Sequence, residues 1–89
     1  MGLFNRKPSE TAEQRYVQKA LELRDSGASK EAEVARREVS RARGAAARAA
    51  DHGTDVELFV THDALKRAED ARVMADDNAA FWRWSRQQH

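Results

Sequence analysis

Apolar and polar positions recur with a helical period along almost the whole chain. Ala12, Tyr16, Ala20 and Leu23 return every three or four residues, with Val17 and Leu21 alongside, which predicts one helix from about residue 10 to 25. Pro8 precedes it, Thr11 and Gln14 have the spacing of a capping box, and Ser26-Gly27 supplies a stop. Residues 1–8 are expected to form a flexible N-terminus.

A second helix is predicted over 29–51, with Ser29 as its cap and His52-Gly53 as its end. Its apolar positions are Ala28, Ala32, Ala35, Val39, Ala42, Ala46 and Ala49, spaced alternately four and three apart. That is a heptad seam made of small side chains, which lets two backbones approach closely while burying little area. Thr54 and Glu57 begin a third helix over 54–76, whose matching stripe is Ala64, Ala68, Ala71, Ala75 and Trp82. Residues 56–60, VELFV, suit a strand as well as a helix, but nothing nearby offers a second strand. Asp76-Asp77-Asn78 favour a turn or kink, leaving 79–87 as a short helix or tail.

The elements imply an all-α fold in one small domain spanning 1–89. It is a long antiparallel helical hairpin with an alanine-rich, coiled-coil-like seam, a shorter N-terminal helix and a C-terminal aromatic segment. A fold-back at His52-Gly53 would bring Arg36 near Glu69 and Arg43 near His62. A parallel homodimer through the second helix would instead pair Glu31 with Arg36, and Glu38 with Arg43.

Composition makes the seam's weakness general. Alanine supplies 17 residues, isoleucine none, and Leu, Val and Phe together 14 in a chain of 89. Few side chains therefore bring the ~1.5–3 kcal/mol of a large buried apolar group. Association with a second copy, as a homodimer, or with another protein is the expected remedy. Sixteen Lys and Arg nearly cancel 15 Asp and Glu, so any charged partner must be met by a local patch. Cysteine is absent and no apolar run is long enough to span a membrane, which fits a cytoplasmic protein. Leu3 and Phe4 before Arg6 and Lys7 make at most a weak anchor for an anionic membrane surface.

Two clusters are candidates for function. Phe81, Trp82, Arg83, Trp84 and Arg86 gather three of the six aromatic residues with two arginines, the residue types in which binding energy concentrates. Trp82 and Trp84 diverge by about 200° on a helix, so one suits the core and the other a partner. Arg37, Arg41 and Arg48 are candidate phosphate contacts along the second helix, which carries six positive and three negative charges from Lys30 to Ala50. Glu31, Glu33 and Glu38 interrupt that stripe, and EVARREVSR has no glycine between Arg37 and Val39 to turn a helix-turn-helix. Nucleic acid is thus the second reading. His52 and His62 near Asp51, Asp55 and Asp63 lack the spacing of a metal site, and neither a phosphate loop nor a nucleophile elbow occurs. No cofactor and no catalysis are expected, and the first reading is a non-enzymatic, regulatory or protein-protein interaction module that self-associates.

Overall fold

A computed structural model describes residues 11–88, and within them the protein is two long α-helices. Helix α1 runs Ala12–His52 and α2 runs Asp55–Gln87, packed against one another as a hairpin. Thr11 begins α1 with a complete capping box: its hydroxyl accepts the Gln14 N–H at 3.1 Å, and its own N–H donates to Gln14 Oε1 at 2.9 Å. At the start of α2 the Thr54 hydroxyl accepts the Glu57 N–H at 3.2 Å. VELFV lies inside α2 as helix. Residues 1–8, expected to be flexible, lie outside the described residues.

Two expected breaks do not occur. Ser26-Gly27 and Ser29 are interior to α1, which merges the predicted helices at 10–25 and 29–51. Glycine in a helix interior costs about 1 kcal/mol, but Asp25, Ala28 and Ala32 are buried on either side of it, and breaking the helix there would forfeit that contact. Likewise Asp76-Asp77-Asn78 continues α2 through to the aromatic segment. Asp76 is held by Arg36 of α1 at 3.0 Å and by Arg72 at 3.5 Å, and Ala79 beyond it is buried.

The one expected stop that holds is His52-Gly53. Gly53 is extended (φ −90°, ψ 168°) and its N–H donates to the Ala49 carbonyl at 2.8 Å. A Cβ built there would lie 2.7 Å from the Ala49 oxygen and 2.9 Å from its Cα, so the need is for close approach and not for a left-handed backbone.

On α1 the seam lies where the heptad puts it. Ala28, Ala32, Val39, Ala46 and Ala49 are buried, with Ala35 and Ala42 half-buried, and the same spacing continues backwards through Asp25, Leu21 and Gln18. On α2 the predicted stripe is partly displaced. Ala68, Ala75 and Trp82 face the seam, but Ala64 and Ala71 are exposed, and the row is completed by Leu58, Thr61, Leu65 and Ala79. Turning α2 by that much brings two leucines onto α1 in place of two alanines, which removes more apolar area from water. The inter-helix pairing shifts with it: Arg36 meets Asp76 and not Glu69, one heptad further along.

Candidate functional site

The end of the hairpin away from the turn is closed by the aromatic segment. Trp82 is half-buried against the cluster of Ala28, Ala32 and Ala79. The Arg24 guanidinium lies 4.8 Å from its ring centroid, and Phe81 meets it edge-on at 5.0 Å. A broad ring spans a gap that alanines leave open, and the cation covers its outer face. Next to it Arg86 donates from Nη1 to Asp25 Oδ2 at 3.1 Å, with Glu22 a further 3.9 Å contact. Of the five residues singled out in this segment, Trp82 and Arg86 are thus committed within the hairpin. Arg83 is exposed, and Phe81 and Trp84 are 54% and 58% exposed.

Phe81 and Trp84 share their side of α2 with Val73 and Met74, which are 58% and 72% exposed. At positions 73, 77, 80 and 84, and at 74, 77 and 81, the helical spacing groups these residues around Asp77 as one apolar face opposite the seam. Phe59 and Val60, also exposed, continue it towards the turn. Sequence reasoning misses Val73 and Met74, although their heptad offsets from Phe59 and Phe81 are legible in the spacing. It misses Asp25 by ending the first helix there.

The phosphate candidates lie on the outer side of α1. Arg37 donates to Glu33 at 2.7 Å and Arg41 to Glu38 at 2.6 Å, both within the helix and both well exposed, and Arg48 is exposed as well. Glu33 and Glu38 lower the positive charge that a phosphate would meet there. Arg36, across from them, is occupied by Asp76.

The chain matches no family model, no curated protein and no solved structure. Among the described residues no three His, Cys, Asp or Glu side chains come together as metal ligands, and no helix is long and apolar enough to cross a membrane. Among the described residues, an open groove beside the turn is lined by Ala49, Val56 and Val60, with His52 and Arg48 also against it.

Proposed function

We propose that this protein is a non-enzymatic helical interaction module, an antiparallel hairpin that associates with further copies of itself through the outer face of α2. The observation that carries the reading is that face. Val73, Met74, Phe81 and Trp84 stand in water while the seam between the helices is filled with alanines. Large apolar side chains collected on one exposed face mark interaction surfaces, and tryptophan and phenylalanine are the types that concentrate binding energy. The antiparallel register is supported by the two inter-helix arginine pairs, Arg36 with Asp76 and Arg86 with Asp25, which run in opposite senses along the helices. A hairpin of this kind keeps its chemistry on its outside, in a cytoplasmic, regulatory or scaffolding role.

Light scattering on the full chain across a micromolar concentration series tests the reading, with Phe81→Ser/Trp84→Ser alongside. The expected result is a mass that rises with concentration in the wild type and falls in the variant while helicity by circular dichroism is kept. A wild type that stays a monomer throughout overturns it. Nucleic acid stays second because Glu33 and Glu38 already occupy two of the three arginines.

A further inference from the structure

The two helices carry opposite charge on their outward sides, and in matching periods. Over its whole length α2 has seven acidic residues and five basic ones, whereas Lys30 to Ala50 of α1 has six basic and three acidic. On α2 the outward row is Asp63, Asp70 and Asp77, one heptad apart and all exposed, flanked by Phe59, Val73, Met74, Phe81 and Trp84 and by Lys66 and Arg67, of which Arg67 pairs with Asp63 at 3.1 Å. On α1 the outward side presents Lys30, Arg37, Arg41 and Arg48, also exposed, together with Val34, Leu23 and Gly27. Gly27 has open space where a side chain would be.

Resting on the self-association proposed above, we infer that the occupant of α2's outer face is the outer face of α1 from a second copy. Laid antiparallel, the two rows match along their length. Asp77 comes opposite Lys30 and Asp70 opposite Arg37, with Asp63 between Arg41 and Arg48; Arg37, Arg41 and Asp63 share these contacts with their exposed own-helix partners Glu33, Glu38 and Arg67. Trp84 meets Leu23, Phe81 enters the notch at Gly27, and Val73 meets Val34. A contact line of 33 residues is about 50 Å long, enough for an interface of ordinary size. A symmetric contact of α2 with α2 would instead set Asp70 against Asp70 and Asp63 against Asp77.

The contact is heterologous, because each copy uses one face to receive and the other to dock. A pair therefore keeps one free face of each kind, and association goes on as a row or closes as a ring. Exposed charge pairs of this sort contribute modestly one by one, but three of them alter a dissociation constant about tenfold.

The test uses two neutralised chains, Asp63→Asn/Asp70→Asn/Asp77→Asn and Arg37→Gln/Arg41→Gln/Arg48→Gln, with wild type in sedimentation equilibrium at low and high salt. The wild type is expected to grow past a dimer with concentration, and less at high salt. Each variant alone is expected to dissociate about tenfold more readily, and an equal mixture to form a 1:1 dimer that does not grow, since only one intact pair of faces is present. A wild type that stops at a dimer, tightened or unmoved by the three asparagines, overturns the inference in favour of a symmetric α2 contact. Growth insensitive to both triple variants but lost in Phe81→Ser/Trp84→Ser overturns the charge-matched docking and leaves self-association standing. A monomer under all conditions overturns both.

Discussion

Arg86 reaches back 61 residues to hold Asp25 at 3.1 Å, and Asp25 is a charged side chain buried at a seam position among alanines. The carboxylate side chain is only 12% exposed and the guanidinium 51%, so the pair straddles the edge of the seam. A polar pair at one seam position is a device for setting register, because any slip of a heptad leaves the carboxylate buried alone. Its energetic signature is asymmetric. Arg86→Ala is expected to cost about 1–3 kcal/mol by stranding the carboxylate, whereas Asp25→Ala places one more alanine in an alanine seam and costs little. The double variant should match Asp25→Ala. Urea midpoints at one fixed protein concentration measure this, and a harmless Arg86→Ala refutes it.

The two informative glycines predict opposite outcomes. Gly27 is interior to α1, and a Cβ added there would meet nothing within 4 Å in its own hairpin, so in dilute, unassociated protein alanine is expected to stabilise by about 0.5–1 kcal/mol. At Gly53 the same change drives a Cβ against the Ala49 backbone and is expected to cost about 1–3 kcal/mol. Thermal unfolding separates them by sign.

Close packing of the seam is checked at Ala32, which is 2% exposed. Ala32→Leu should overpack the cluster it forms with Ala28 and Ala79 and cost about 1–3 kcal/mol. Ala47→Leu, on an exposed position of the same helix, should be close to neutral. Equal melting temperatures for the two would mean the helices are not in close contact.

Period was readable in the sequence, and so was the stop before Gly53, but continuation through the two other apparent breaks was not. The seam from Ala28 to Ala49 follows from spacing alone, as do the caps at Thr11 and Thr54 and the stop before Gly53. Ser26-Gly27 and Asp76-Asp77-Asn78 have the local composition of breaks, but what keeps them helical is contact with the other helix, Asp25 on Arg86 and Arg36 on Asp76. Local propensity carries no trace of such partners. The rotation of α2 was hidden for a related reason: an alanine stripe and a leucine-containing stripe lie side by side, and burial of Leu58 and Leu65 decides between them. For the aromatic segment, divergence of Trp82 from Trp84 was visible as geometry, while Arg24 stacking on Trp82 was not.

Duplex binding is expected to be weak at about 50 mM salt, since Glu33 and Glu38 beside Arg37 and Arg41 lower the positive charge of the stripe. A complex that weakens steeply between about 50 and 200 mM salt, with a slope reduced by about one in Arg48→Gln, would put nucleic acid in place of protein as the partner.

The outward face of α2 is tested most directly by the two tryptophans, one on each side of the helix. Single-tryptophan chains are made with Trp82→Phe or Trp84→Phe, and acrylamide quenching of the remaining indole is followed as protein concentration is raised. Trp82 should be partly shielded to the same degree at every concentration, because α1 shields it within the hairpin. Trp84 should be readily quenched in dilute solution and progressively protected as copies associate. A Trp84 equally accessible at all concentrations would contradict the account.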